Sequence, residues 1–432
     1  MNDLDNKAKK IIADNDMGGY TIPTKGLYPY QWNWDSAFVA LGFQQFDNDR
    51  AWREIETLLA AQWHNGMIPH IIFRKEEPSY YPGPSVWQAD SHGPISATGI
   101  SQPPVAASII YKLWCDEQDQ SQYLNRAQRA FTQLNAFHQW WHDARDIEQS
   151  GVVKITHPWE SGRDNLPDWD AVYPMIDTSE VGEYHRNDTD HVNKLMRPTK
   201  YDYDCYIALV QHSVSCQWDP IKIAKTTPFW VADVGINAIL IRAEKDLYQL
   251  ALSLNYSEQG AVIAQRIARL EQGFETLWNK EAMAYCTLDA RSNRLSDDVT
   301  AASFLCLYAG VGSPLQKQAQ LDLITKWSSK VNYMVPSFDP FHQKFDSLRY
   351  WRGPVWSIVN YLIGVGLTEQ KEYALAEKIR LDTQQLISEK GFAEYFSAID
   401  GQGCGGDSFS WTAAIWLSWA STTQPAITGD IA

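Results

Sequence analysis

Apolar side chains recur along most of this chain at spacings of three and four. Over residues 121–144, Leu124, Ala127, Phe131, Leu134 and Trp141 fall on one stripe, and over 258–279 Ile263, Ile267, Leu270, Phe274 and Leu277 do the same. That period matches the turn of an α-helix with one face toward a core. Related patterns predict further helices over roughly 35–47, 50–63, 97–115, 202–217, 229–253, 300–310, 315–328, 353–366, 370–387 and 408–420, and strand patterns are sparse. The stretch Trp230–Ile241 is apolar all round, as a helix packed on every side requires, and 258–279 reads as its amphipathic partner. Twelve helices of these two kinds predict an all-α chain of six helical hairpins closed in a ring, an (α/α)6 barrel with the apolar helices inside.

Two irregular stretches interrupt the helices, one near 74–96 and one near 178–200, the second polar and charged. Loops of that length inside a compact unit usually cover or bind a substrate. No low-complexity segment divides the chain, so residues 1–432 are expected to form a single domain.

Composition narrows the chemistry. Hydrophobic residues make up 44% of the chain and charged ones 21%, which suits a folded core. The net charge of −15 and the absence of Lys/Arg-rich runs exclude nucleic acid as the expected partner. No run of about 18 apolar residues predicts a membrane span, and the polar start at Met1 carries no export signal. The six cysteines (Cys115, Cys205, Cys216, Cys286, Cys306, Cys404) are scattered without metal-ligand spacing, so free buried thiols in a reducing compartment, the cytoplasm, are expected. Whether the chain forms a homo-oligomer is left open. The 19 Trp are an unusual density, and many of them are expected to line a cleft.

Two carboxylates stand inside aromatic, glycine-rich loops. Asp164 lies in His157-Pro-Trp-Glu-Ser-Gly-Arg-Asp-Asn-Leu-Pro-Asp-Trp-Asp170, and Glu394 in Gly391-Phe-Ala-Glu-Tyr-Phe396, just before Gly401-Gln-Gly-Cys-Gly-Gly-Asp-Ser-Phe-Ser-Trp-Thr412. One carboxyl group that protonates a leaving oxygen and one that activates water are what glycosidic cleavage needs, and indole faces stack on sugar rings. Read locally, Asp164 serves equally well as a helix cap, and Glu394 as an exposed residue of a short strand.

Six segments in order resemble glycoside hydrolase family 63, and less closely the family 37 trehalases. They are Tyr28-Pro-Tyr-Gln-Trp-Asn-Trp-Asp-Ser36, His64-Asn-Gly-Met-Ile-Pro-His70, Gly99-Ile-Ser-Gln-Pro-Pro104, Trp159-Glu-Ser-Gly-Arg-Asp164, Tyr350-Trp-Arg-Gly-Pro-Val-Trp356 and 391–412. The compact length resembles the bacterial subgroup that hydrolyses glucosylglycerate and mannosylglycerate. The resemblance implies the (α/α)6 barrel and an inverting α-glycosidase that uses neither metal nor other cofactor and takes a small carbohydrate as its partner. It assigns Asp164 as general acid and Glu394 as general base. Inversion would place their carboxyl groups roughly 6.5–9.5 Å apart, with room for water.

The same resemblance implies the binding residues. Asp35 would hold sugar hydroxyls in the subsite of cleavage, with Tyr28, Trp32 and Trp34 shaping that pocket. His70 and Gln102 would contact the sugar, while His64 is structural: two histidines six apart lack a third metal ligand. Trp159 and Gly162 belong to the acid's loop, where Trp159 supplies an apolar contact that would raise a carboxyl pKa. Tyr350, Trp351, Trp356 and Trp411 would wall the site. Arg197 and Tyr203 would hold the carboxylate of a glycerate aglycone, a guanidinium fork being matched to a carboxylate, and Tyr80 or Tyr81 would serve it from the first loop. Glu160 and Asp168 fall to hydrogen-bonding or surface roles. Leu166, Asp168 and the run Gly403–Asp407 depart from the family's pattern, which bears on substrate choice, and glucose versus mannose is left open. The alternatives are an α-glucosidase acting on a neutral disaccharide such as kojibiose or trehalose and, more remotely, a sugar epimerase or a sugar-binding protein on the same barrel.

Overall fold

The structure, a computed structural model, describes residues 3–422. Its helices form an (α/α)6 barrel. The inner ring consists of Asn33–Gln44, Ala106–Asp116, Val234–Ser253, Leu305–Ala309, Ser357–Glu369 and Ser410–Ile415, each packed against the next and the last against the first. Outside lie Asn48–Leu59, Gln120–Arg145, Ser257–Phe274, Pro314–Ser328, Tyr373–Lys390 and Asp3–Asp14.

The sequence pattern explains which helix goes where. In the first inner helix every residue from Asn33 to Phe43 is buried. Its outer partner buries a single stripe that includes Trp52, Ile55, Leu58 and Leu59. Inner helices meet neighbours on all sides and lose their polar face, whereas outer ones keep it.

Twelve helices are expected and, among the described residues, twelve build the ring, but the membership differs. The helix predicted at 202–217 exists as Lys200–Ser215, yet it belongs to the connection between Arg145 and Val234 and is not a ring member. Its expected place is taken by Asp3–Asp14, which the periodicity does not single out. That N-terminal helix packs on the last inner helix. Asn15 Nδ2 donates to Ser410 Oγ at 2.9 Å and to the Ser408 carbonyl at 3.0 Å, and Trp416 Nε1 donates to Asp5 Oδ1 at 2.9 Å. A contact between the two ends of the chain leaves no trace in local spacing. The 97–115 helix begins later, at Ala106, because Pro103 and Pro104 hold the preceding loop extended.

Short strands pin the loops. Gln31–Trp32 pairs antiparallel with Ile71–Ile72, and Tyr395–Phe396 with Gly403–Cys404. Both pairings flank segments that carry site residues. The long connections, and every site residue discussed below except those at the start of Asn33–Gln44 and Ser410–Ile415, run from an outer helix to the next inner one. The site therefore gathers at the end of the barrel where the inner helices begin.

All six cysteines are free thiols. Cys205, Cys286, Cys306 and Cys404 are buried, Cys216 is half-buried and Cys115 is exposed, so the expectation of burial fails for Cys216 and Cys115. Among the described residues no helix is long and apolar enough to cross a membrane.

Candidate active site

A cleft of about 880 Å³, counting its open mouth, enters the barrel at this end, and Asp164, Glu394 and Asp35 all line it. Glu394 is held most tightly. Tyr28 and Tyr350 donate their phenolic hydrogens to its Oε1 at 3.1 and 3.3 Å, and the Gly406 N–H donates to Oε2 at 2.9 Å. The loop can approach this closely because residue 405 is glycine. Its φ is +73°, and a Cβ there would stand 2.2 Å from Glu394 Oε2. Burial raises the Glu394 carboxyl above its ordinary value, while the Arg197 charge and the three donors pull it back toward the anion.

Asp164 is half-buried, and its loop is fixed through its backbone. Tyr206 donates to the Asp164 carbonyl at 2.8 Å, Tyr173 donates to the Tyr206 hydroxyl at 3.3 Å, and Trp169 Nε1 donates to Tyr173 at 3.0 Å. Gly162 makes the bend before it, at φ +66°, and a Cβ there would lie 2.7 Å from the Trp34 indole. Burial pushes the Asp164 carboxyl up to about 6, opposed by the charge of Arg197 and aided by that of Glu394. Burial likewise lifts Asp35 well above its ordinary value.

The rest of the lining combines rings with few polar groups. Trp32, Trp34, Trp159 and Trp411 face the cleft. Gln102 Oε1 accepts the Trp34 N–H at 3.3 Å, and Trp411 Nε1 donates to the Glu394 carbonyl at 3.1 Å. The His70 ring lies parallel to Trp159, 6.1 Å between centroids. Burial, and then the neighbouring His157, hold its pKa well below normal, so it stays neutral, and its buried Nδ1 has no protein partner. His64 is exposed on a turn away from the cleft.

Arg197 lines the cleft beside the two tyrosines that bind Glu394, and is 7% exposed. Its Nε donates to Asp188 Oδ2 at 2.9 Å and its Nη2 to the Tyr28 hydroxyl at 3.0 Å, while its guanidinium lies 4.0 Å over the Tyr350 ring. Nη1 is buried without a partner. Burial works against its charge, but Tyr28, Tyr350 and Asp188 more than offset that and keep it cationic. Its ion pair with Asp188 is thus buried in the cleft wall and does not lie on the open surface. Tyr203 also lines the cleft, yet its hydroxyl is already donated to the Tyr81 carbonyl at 3.2 Å, which ties the first long loop to the start of Lys200–Ser215. Tyr80 and Tyr81 both reach the cleft.

Trp351 and Trp356 do not reach it. They stack on each other at 3.7 Å, and Trp356 also stacks on Tyr395 at 4.6 Å, so these buried rings support the cleft wall from behind. The expectation for tryptophan as a whole is corrected in the same way: four of the 19 line the cleft, and large ones such as Trp52, Trp141, Trp169, Trp230 and Trp327 fill the core. Glu160 is fully buried and accepts from Arg145 at 2.6 Å and from the Thr156 N–H at 2.8 Å, which makes it a brace. Asp168, pushed by burial to about 7, accepts from Thr287 at 2.7 Å outside the cleft. A perturbed carboxyl alone therefore does not mark the site.

Asp188 and Arg186 carry no signal in the sequence. Both line the cleft from the polar second loop, where charged residues look like solvated surface until their partners are known.

Comparison with known proteins decides the family. The model of the mannosylglycerate hydrolase MGH1-like glycoside hydrolase domain matches residues 28–412. The chain belongs to this family. It is 42% identical over 416 residues to a mannosylglycerate hydrolase of Thermus thermophilus, covering 96% of this chain and 99% of the relative. It is 41% identical to mannosylglycerate hydrolase MGH1 of Selaginella moellendorffii, covering 96% of this chain and 85% of the relative. Among solved structures, a family 63 mannosylglycerate hydrolase of Thermus thermophilus in complex with Tris and D-glycerate superposes with a TM-score of 0.93 at 41% identity, over 96% of this chain and 99% of that one. As a member of the family, the chain is a glycoside hydrolase on the (α/α)6 barrel.

One consequence for this hydrolase concerns stability. A carboxyl group raised to about 6 in the folded state contributes stability that is complete below its unfolded value of 3.8 and is lost as pH rises through about 6. Asp164→Asn escapes that loss. The variant is expected to be more stable than the parent at pH 8, by on the order of 2 kcal/mol or a few degrees in Tm, and equal to it near pH 3. Thermal scans at the two pH values check this; an equal Tm at pH 8 would show that Asp164 is not held in a hostile environment.

Proposed function

We propose that the chain hydrolyses the α-glycosidic bond of a hexosyl glycerate, mannosyl or glucosyl, with inversion at the anomeric carbon. The observation that carries this reading is the unpartnered, buried Nη1 of Arg197 in the same cleft as the Asp164 and Glu394 carboxyl groups. A cleft that breaks neutral glycosides has no use for a desolvated guanidinium with an unpaired donor, whereas a carboxylate on the aglycone satisfies both its charge and its hydrogen bond.

Asp164 acts as general acid. Its proton passes to the glycosidic oxygen as the bond from that oxygen to C1 breaks, and glycerate leaves with a free hydroxyl. Glu394 acts as general base, taking a proton from a water whose oxygen bonds to C1 on the opposite face, so the sugar departs as the β-anomer. Both carboxyl groups then exchange protons with solvent to restore the starting state. The environments suit these roles: burial favours the protonated form of Asp164, while Tyr28, Tyr350 and the Gly406 N–H stabilise the anion of Glu394. Trp34, Trp159 and Trp411 offer faces to the sugar, and Asp35, His70 and Gln102 offer polar groups to its hydroxyls. The six unpaired cysteines support a reducing compartment as the place of reaction.

The test follows anomeric proton signals by NMR during the first minutes with mannosylglycerate, glucosylglycerate, kojibiose and trehalose. Initial release of the β-anomer from a glycerate conjugate is expected. Initial α-anomer would make Glu394 a nucleophile, and cleavage of a disaccharide alone would remove Arg197 from substrate recognition.

A further inference from the structure

Asp188 stands between two arginines. Arg186 donates from Nε to Asp188 Oδ1 at 3.0 Å and from Nη2 to Oδ2 at 2.7 Å, and Arg197 Nε donates to the same Oδ2 at 2.9 Å. The third nitrogen of Arg186, Nη1, donates to the Pro198 carbonyl at 2.7 Å, and its guanidinium lies 4.2 Å over the Tyr203 ring. Each nitrogen of Arg186 thus has an acceptor, and the nitrogen left without one in this group is Arg197 Nη1.

We infer that Asp188 determines charge specificity: it cancels one of the two guanidinium charges at the aglycone end and so limits the ligand there to a single negative charge. This rests on the reading of Arg197 as the aglycone's anchor. Glu394 being met by Tyr28, Tyr350 and the Gly406 N–H, the trio of Arg186, Asp188 and Arg197 carries one net positive charge, and the donor count leaves one nitrogen unpartnered. One carboxylate meets both. A second negative group would be desolvated beside Asp188 with no cation to meet it, and specificity arises from that mismatch as much as from the favourable contact. Asp188 is anionic at any working pH: burial would raise its carboxyl, but Arg197 and Arg186 hold it down to about 2. Asp188 lines the cleft together with Tyr28, Tyr80, Tyr203 and Asp164, and does not lie behind its wall.

The test compares competitive inhibition by D-glycerate, a monoanion, with that by tartronate, in which a second carboxylate replaces the terminal carbinol. Wild type should prefer glycerate. Asp188→Asn should shift the ratio of the two inhibition constants at least tenfold toward tartronate. Adding Arg186→Met to that variant removes the released cation and should return the ratio toward the wild-type value. Asp188→Glu keeps the charge and should keep the wild-type preference, which preserves the test if the asparagine variant does not fold. A purely structural Asp188 would weaken both acids alike, and an unmoved ratio in Asp188→Asn, or a tenfold shift in Asp188→Glu, overturns the inference. Wild type that binds glycerate while the variants fail in this way removes only the role of Asp188. Wild type that binds neither acid removes the aglycone reading and the inference with it.

Discussion

Glu394→Gln is expected to lose hydrolysis of both a hexosyl glycerate and an α-glycosyl fluoride, whereas Asp164→Asn loses the first and keeps most of the second. The difference comes from the leaving group. A glycerate alkoxide is a poor one and must be protonated as it departs, so removing the acid costs about two to four orders of magnitude in kcat. Fluoride leaves without a proton, and the loss of the acid then matters little. The water still needs its base with either substrate, so the amide at 394 is expected to cost a comparable factor on both. The comparison also guards against misfolding, because an Asp164→Asn enzyme that turns over the fluoride is an assembled enzyme. If Asp164→Asn were as inert on the fluoride as on the conjugate, Asp164 would not be the acid. If Glu394→Gln kept the fluoride while Asp164→Asn lost it, the two roles would be exchanged.

Arg197→Ala should lower kcat/KM for a hexosyl glycerate by roughly two to three orders of magnitude, since truncating one partner of a buried, hydrogen-bonded charge pair costs about 2–5 kcal/mol. The loss should fall mainly on KM, as expected for a contact made equally in ground and transition states. A hexosyl glycerol, in which a carbinol replaces the carboxylate, separates anchor from scaffold. If Arg197 binds the acid group, the wild type handles the glycerol conjugate poorly and the variant handles it only a few-fold differently. Arg197→Lys should recover little, because an ammonium cannot reproduce a fork that reaches Asp188 Oδ2 with Nε and the Tyr28 hydroxyl with Nη2. Equal losses on both conjugates would mean that Arg197 serves only to support Tyr28 and Tyr350.

The helices show how far local pattern reaches. Spacing of apolar residues distinguishes inner from outer helices at Val234–Ser253 and Ser257–Phe274, because a helix surrounded by protein and one facing water differ in every turn. It cannot distinguish Lys200–Ser215, packed in a loop, from Asp3–Asp14, packed on the ring, since each needs only one apolar stripe. The tryptophans follow the same rule. The segment Tyr350–Trp356 is legible as a unit, but whether a buried indole faces a cleft or another indole depends on what packs against it. Trp351 and Trp356 face each other.

Near neighbours along the chain suffice for most of the ring helices and for the bends around Asp164 and Glu394, whose roles come from the order of six motifs along the whole chain. The period of apolar positions writes the first, and the glycines, prolines and rings that bend a chain around a carboxyl group write the second. Three features come only with the folded barrel: the N-terminal helix closes the ring, Arg197 keeps one donor unpaired, and Asp188 and Tyr28 hold its other two. Arg197 and Tyr28 are 169 positions apart, and Tyr28 and Glu394 are 366 apart. A hydrogen bond over such a separation depends on how the barrel brings its loops to one end, which no local pattern of side chains records.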